Sequence, residues 1–357
     1  MLSAEAPLVL LQHGGLDNLS GKTGLAMLRY RRGPIVAVVD PAHAGADLEA
    51  VTGIHRPVPI VASVAEALPF APAVAVVGLA PSGGLLPGAM RRDLLTALDA
   101  GLSLASGLHS RLGDDPELAG RLVPGQWIWD LRQEPGGLQV AAARAAGLPG
   151  QRILAVGTDM AVGKMSACLE LHAAAKARGL DARFVGTGQA GILIAGSGVP
   201  LDAVRVDFAA GAVEQAVLAA AEGLPADGLL LVEGQGSLCH PGSSATLPLI
   251  RGSQPTALLL AHRAGRTRIR ERPGTVPVAI PPLDQVVALV NALAAVARPE
   301  GTSLPAPRVR AVALNTAGLG AEAAEHALAA AAEASGLPSI DPVRQGGQRL
   351  LEALVGR

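Results

Sequence analysis

The segment Ile153-Leu-Ala-Val-Gly-Thr-Asp-Met-Ala-Val-Gly-Lys-Met-Ser166 has the residue types a phosphate site needs, in the order it needs them. An apolar run predicts a buried strand, Gly157 and Gly163 bound a loop, and Lys164 opens a predicted helix. Backbone N–H groups at such a loop and helix start donate to phosphate oxygens, and a lysine adds a mobile positive charge. The expected cofactor contacts are Gly157, Thr158, Asp159, Ala161, Val162, Gly163, Lys164, Met165 and Ser166. The loop departs from the commonest P-loop in two ways. Five residues separate its glycines where four are usual, and Met165 stands where a magnesium-binding Ser or Thr usually follows the lysine. Ser166, one residue later, is the candidate for that duty.

Other apolar runs end in polar residues that can do chemistry. Gly228–Val232 delivers Glu233, a candidate magnesium ligand, with glycines behind it. Val309–Leu314 delivers Asn315, whose amide is both a donor and an acceptor, although an Asn after a strand is also an ordinary turn former. Ala203–Val206 reads as a short strand that delivers Asp207 as a second metal carboxylate. Thr187, Gly188 and Gln189 form a hydroxyl, amide and glycine loop suited to a polar substrate, and His240 is a candidate acid or base. In the first half, His109, Arg111, Asp114 and Asp115 follow the predicted strand Leu102–Ser106, with His109 and Arg111 as candidate substrate contacts. Capping Asp and solvated polar residues account equally well for Asp207, His240 and the His109 group.

The elements that must hold these residues read as α/β throughout. Strands are expected at Leu8–Gln12, Ile35–Asp40, Pro59–Ala62, Val74–Gly78, Leu102–Ser106 and Trp127–Arg132 in the first half. Those of the second half are Ile153–Val156, Ala182–Val185, Ala203–Val206, Gly228–Val232, Thr256–Ala261, Val276–Ile280 and Val309–Leu314. Helices are expected at Gly24–Arg32, Met90–Ala100, Lys164–Arg178 and Ala321–Ser335. The rhythm implies two doubly wound, mostly parallel sheets, the second of P-loop type. At about 100–200 residues per domain, 357 residues make two domains, here 1–137 and 138–357, with Gln133–Gly137 as the linker.

Composition removes whole classes. No apolar run reaches the roughly 18 residues of a spanning helix, so the 50% hydrophobic content belongs to a core. A net charge of -1 and 2% aromatic residues provide neither an electrostatic footprint nor stacking rings for nucleic acid. Two cysteines make no disulfide framework, and the N-terminal residues lack a basic region before an apolar one, so a cytoplasmic protein is expected. The lightly charged composition leaves room for a homo-oligomer.

The first half has a loop of its own, Gly15-Leu-Asp-Asn-Leu-Ser-Gly-Lys-Thr23, with the same glycine spacing. It reads as a βα turn or as an anion site, the turn being favoured. Asp40, after Ile35–Val39, imitates the ribose-binding acid of a dinucleotide fold, but no Gly-x-Gly-x-x-Gly turn precedes it, so NAD is not expected.

The glycine spacing with Thr-Asp after Gly157 resembles dethiobiotin synthetase and its P-loop relatives. That likeness implies an acidic metal ligand at another strand end, met by Glu233, and an Asn that reads the base, met by Asn315. Across nearly the whole chain the sequence resembles the D-glutamate N-acetyltransferase family. The matching segments are Gly157–Ser166, Thr187–Gly191, Val206–Glu214 and Val232–Pro241, with Gly21–Tyr30, Val36–Asp40 and Ser106–Asp115 in the first half. This resemblance implies a Rossmann-like first domain, a P-loop second domain, and transfer of acetyl from acetyl-CoA to the amine of D-glutamate.

Two chemistries follow. The loop, Glu233 and Asn315 alone predict ATP and Mg2+, with Ser166, Asp207 and Glu233 around the metal and a carboxylate phosphorylated before an amine attacks it. The resemblance predicts acetyl-CoA, its phosphates held by Lys164 and the loop, with Glu233 as candidate base and His240 as a further catalytic group. A nucleotide-binding regulator without catalysis is the third reading.

Overall fold

A computed structural model describes residues 2–3, 5–79, 86–269, 276–301 and 305–356. The chain divides into two units: Met1–Glu134 with Gln189–Ala203, and Pro135–Gly188 with Val204–Arg357.

The first unit contains β1 (Leu8–Leu11), α1 (Lys22–Tyr30), β2 (Ile35–Val39), α2 (Leu48–Thr52), β3 (Ile60–Val61) and α3 (Val64–Ala67). These are followed by β4 (Val74–Val77), α4 (Gly88–Asp99), β5 (Ser103–Ser106), α5 (Pro116–Ala119) and β6 (Ile128–Asp130). All six strands pair in parallel, in the order β3-β2-β1-β4-β5-β6. Alternate residues face opposite sides, and both sides are covered. Leu8, Leu10, Val38 and Val76 belong to one apolar cluster, while Val9, Leu11, Val39 and Val77 belong to the other. Burial on both faces is why these strands read as unbroken apolar runs.

The second unit begins its sheet with β7 (Gln151–Gly157), then α6 (Lys164–Ala177) and β8 (Ala182–Val185). The chain next supplies α7 (Gln189–Ala195) to the first unit, where Ile192 and Leu193 join the cluster of Leu8 and Leu10. A cut after Gly137 alone therefore misplaces this helix: its apolar residues show that it needs a partner but not which sheet provides one. The second unit continues with α8 (Val206–Ala220), β9 (Leu229–Val232), α9 (Thr246–Ser253), β10 (Ala257–Arg263), α10 (Leu283–Ala294) and β11 (Val309–Asn315). It closes with α11 (Ala321–Ser335), β12 (Ser339–Ile340), α12 (Pro342–Gln345) and α13 (Gln348–Val355). Its six parallel strands run β12-β11-β10-β7-β9-β8, so the strand feeding the Gly157 loop lies between β9 and β10.

Two expected strands are absent. Residues 201–203 form a 3-10 turn and Val206 begins α8, so Asp207 lies in the first turn of a helix, exposed. The alternation Val-Arg-Val-Asp imitates a strand, but Val206 points to solvent at 72% exposure and the helix-forming stretch behind it prevails. An acidic residue there complements the helix dipole. Val276–Ile280 makes one antiparallel bridge, Ala279 to Arg268, with Val276 exposed.

Candidate functional site

In a parallel α/β sheet the strands' C-terminal ends form the ligand edge. In the second unit, four of them, β7, β9, β10 and β11, end in residues able to do chemistry.

Strand β7 ends at Gly157, where a Cβ would lie 2.9 Å from Lys164 Nζ and 3.1 Å from Val162 Cγ2, so a side chain there would have to displace the lysine. The loop turns through two left-handed positions, Ala161 at φ +54° and Gly163 at φ +107°. The first is strained for a residue with a Cβ, as is common where a ligand fixes the backbone. Helix α6 then starts with no side-chain cap at Gly163, which leaves the N–H groups of its first turn to the loop's concavity.

Lys164 is 7% exposed, and its Nζ donates to Asp159 O at 2.9 Å. Burial pushes its pKa down to about 8, with Asp159 and Glu233 opposing that shift.

The loop is anchored from β10. Thr158 N donates to Ala261 O at 3.1 Å, and Thr158 Oγ1 lies 2.8 Å from His262 Nδ1. Burial, reinforced by the Arg266 charge, holds the His262 pKa down at about 4, so the ring is neutral at pH 7. Arg266 Nη1 donates to Asp159 Oδ2 at 2.8 Å, and Met160 N donates to Asp159 Oδ1 at 2.6 Å. Arg266 thus fixes the residue whose carbonyl holds Lys164. Sequence reasoning missed His262 and Arg266, although His262 carries the same signal as Glu233, a polar residue at the end of an apolar run.

Glu233 follows β9 and is 5% exposed. Its Oε2 accepts from Thr187 N at 2.8 Å and Gly188 N at 3.1 Å, and Thr187 Oγ1 donates to the Glu233 carbonyl at 2.9 Å. Gly234 passes β7 so closely that a Cβ would sit 1.9 Å from Ala155 O and 2.8 Å from Lys164 Cδ. The Glu233 loop is therefore pressed against the lysine stem, and both charges serve one cleft.

Asn315 ends β11 opposite Arg263. A Cβ on Gly163 would be 3.6 Å from Asn315 Nδ2, so the amide flanks the loop's last glycine. Its Oδ1 accepts from Ala317 N at 3.0 Å, a turn bond that leaves Nδ2 as the group turned toward the loop. Met165 and Ser166 are half-buried in the first turn of α6.

The remaining expected residues are placed elsewhere. His240 Nδ1 accepts from Gly242 N at 3.0 Å within its own turn. Asp207, exposed on α8, is not at a strand end, and among the described residues no three His, Cys, Asp or Glu are grouped to hold a metal. The loop after β8 is divided: Thr187 and Gly188 hold Glu233, whereas Gln189 belongs to the first unit and lies on Gly107, where a Cβ would meet its Oε1 at 2.2 Å. Arg132 donates to Gly107 O at 2.7 Å, lies 3.5 Å from His109 Nδ1 and pairs with Asp202 at 2.5 Å. Gln189 and His109 are thus neighbours of one backbone segment, while Arg111 and Asp114 are exposed. Asp115 is structural: it caps α5 and pairs with Arg91, which holds its carboxyl down at about 2.

Two family models match the chain, a DUF1611 Rossmann-like domain over residues 41–134 and a DUF1611 P-loop domain over residues 139–351. A D-glutamate N-acetyltransferase of Tritonibacter scottomollicae is 35% identical over 352 residues, 98% of each chain. One from a Pseudoalteromonas species is 34% identical over 286 residues, 80% of this chain and 82% of that protein. The crystal structure of a DUF1611 family protein from Anabaena variabilis superposes with a TM-score of 0.90 at 50% identity, covering 99% of this chain and all of the other. With both domain models matched and the likeness running end to end, the chain belongs to the DUF1611 family.

Proposed function

We propose that this protein transfers the acetyl group of acetyl-CoA to the amine of D-glutamate or a closely similar amino acid. The observation that carries this reading is the likeness to two proteins named D-glutamate N-acetyltransferase, one over 98% and the other over 80% of this chain. The cleft around Lys164 and Glu233 is compatible with it. CoA brings a pyrophosphate, and the uncapped α6 start, Gly163 and the Lys164 ammonium form a seat for it. Asn315 Nδ2 flanks that seat, where it can donate to an adenine nitrogen.

In this reaction the amine nitrogen bonds to the acetyl carbon, the carbon–sulfur bond breaks, and CoA leaves as the thiol. The amine must lose a proton, and Glu233 is the group assigned to take it. Thr187 N and Gly188 N fix the carboxylate through Oε2. We assign the enzyme to the cytoplasm, in keeping with its two free cysteines; among the described residues no helix is long and apolar enough to cross a membrane.

The P-loop itself favours the second reading, an ATP- and Mg2+-dependent ligase. Its weakness is the metal site: with Asp207 on the surface of α8, Ser166 and Glu233 are left, and Glu233 Oε2 already serves two amides. The test is incubation with D-glutamate plus either acetyl-CoA, or ATP, Mg2+ and a carboxylate, following free thiol, ADP and the acetylated product. Thiol and N-acetyl-D-glutamate released in equal amounts, without ATP, are expected. ADP formation that requires a carboxylate, with acetyl-CoA left intact, would overturn the reading.

A further inference from the structure

The first unit has a ligand edge of its own that the transferase reading does not use. Among the described residues, three buried side-chain oxygens at the C-terminal edge of the first sheet accept no hydrogen bond. They are Gln12 Oε1 after β1, Asp40 Oδ2 after β2 and Gln189 Oε1 against the end of β5, while the neighbouring His13 Nε2 and His43 Nδ1 face Asp93 Oδ2 at 3.0 Å and Asp40 Oδ1 at 3.3 Å. Orphaned buried polar atoms are rare enough that such a concentration needs a cause, and a missing ligand is one.

We propose that this edge binds a ribonucleoside through the free vicinal diol of its ribose, with Asp40 as the acceptor. Asp40 is wholly buried, and one of its oxygens is committed, accepting from Ala42 N at 3.1 Å with His43 Nδ1 3.3 Å away. The other has no donor. Asp40 presents an orphaned acceptor, so the ligand must bring donors, and a diol brings two adjacent O–H groups to one carboxylate. Position agrees with chemistry. The strand order places β1 and β4 at the switch point, and Asp40 ends the strand beside β1, where a ribose lies when a nucleotide occupies such a crevice.

The same edge rejects a dinucleotide. Gly15 and Gly21 are packed on one another, a Cβ on Gly21 lying 2.0 Å from Gly15 O. The Gln12 amide fills the space between Gly24 and Gly78, at 2.4 and 2.6 Å from their would-be Cβ positions, and donates to Gly21 O at 3.2 Å. No room is left for a pyrophosphate to approach the backbone. CoA is also a poor fit, because its ribose carries a 3′-phosphate and has no free diol. The His43 side chain, 22% exposed beside a fully buried Asp40, has to turn aside for the diol to enter.

The test is calorimetric titration of the full chain with adenosine and with 2′-deoxyadenosine. Adenosine is expected to bind at least about tenfold more tightly, the scale of a hydrogen bond to a charged group. Asp40→Asn should reduce adenosine binding to the deoxyadenosine level, His43→Ala should preserve or tighten it, and Asn315→Ala should leave it unchanged. Absence of adenosine binding, equal affinity for both nucleosides, or a loss caused by Asn315→Ala and not by Asp40→Asn would overturn the proposal. If Asp40→Asn fails to fold by circular dichroism, the ratio of the two nucleosides in the unaltered chain and the Asn315→Ala result still decide it.

Discussion

The two glycine loops have the same spacing, Gly15 to Gly21 and Gly157 to Gly163, and opposite architecture. In the first, glycines serve packing: Gly15 and Gly21 touch, the Gln12 amide plugs the remaining space, and Lys22 is exposed at the start of α1. In the second, Gly163 sits at φ +107° with open space on the Cβ side apart from Asn315, and Lys164 is buried beneath the loop against Asp159 O. Spacing alone therefore does not make a phosphate loop. What distinguishes the two is whether the space between the glycines is filled by the protein's own atoms.

The largest effect should come from the cleft beside the second loop. Glu233→Gln preserves shape and can still face Thr187 N and Gly188 N through its carbonyl oxygen, but it cannot take a proton. We expect kcat to fall by about 10²- to 10⁴-fold with KM for acetyl-CoA nearly unchanged. Thiol release measured across a substrate range checks this, and an equal rise in KM would reassign Glu233 to binding. Next comes the direct contrast of the two lysines. Lys164→Ala should weaken acetyl-CoA binding by about 10- to 100-fold, the range of a charge-assisted hydrogen bond, whereas Lys22→Ala should leave it unaltered. A calorimetric Kd that responds equally to both changes would break the distinction between the loops.

A smaller effect, about tenfold, is expected from pH. Phosphate binding needs the ammonium form of Lys164, whose pKa in the ligand-free protein is pushed down to about 8. Affinity for acetyl-CoA is therefore full below that value and falls as pH rises through it, by about tenfold between pH 7 and 9. Lys164→Arg should flatten the profile, since a guanidinium keeps its charge over this range.

Much of this site was legible beforehand because its residues sit where apolar runs stop. Gly157, Glu233 and Asn315 each end a strand that is buried, and the transition from apolar to polar is local information. His262 follows the same rule and was available to it. Asp207 was misread because four alternating residues look alike in a short strand and in the first turn of a helix. The destination of α7 was not legible at all: Ile192 and Leu193 announce a buried face, but both sheets offer apolar partners, and the choice depends on surfaces remote in sequence. Arg266 belongs to the same class, for its carboxylate partner lies 107 residues away.

That long-range contact gives the smallest and most informative effect. Arg266 touches the phosphate loop through Asp159, and Asp159 positions Lys164 through its backbone carbonyl, so Arg266 is a positioning residue. Arg266→Ala removes the Arg266 ion pair from the fully buried Asp159 carboxylate, which keeps its bond from Met160 N. Because Arg266 also contributes to the depressed His262 pKa, its removal should raise that pKa from about 4 while leaving burial, the larger cause, in place. We therefore expect a several-fold weaker Kd for acetyl-CoA, smaller than the loss in Lys164→Ala, together with a shift of the His262 ring protons in a pH titration followed by NMR. A merely structural arginine would lower the melting temperature and move neither. Arg266→Lys should recover part of the affinity, because an ammonium can still pair with Asp159 although it cannot reproduce the guanidinium geometry. If Arg266→Ala weakened binding as much as Lys164→Ala, the loop would owe its open shape to this one anchor, and the contrast with the first loop would rest on tertiary contacts more than on the glycines.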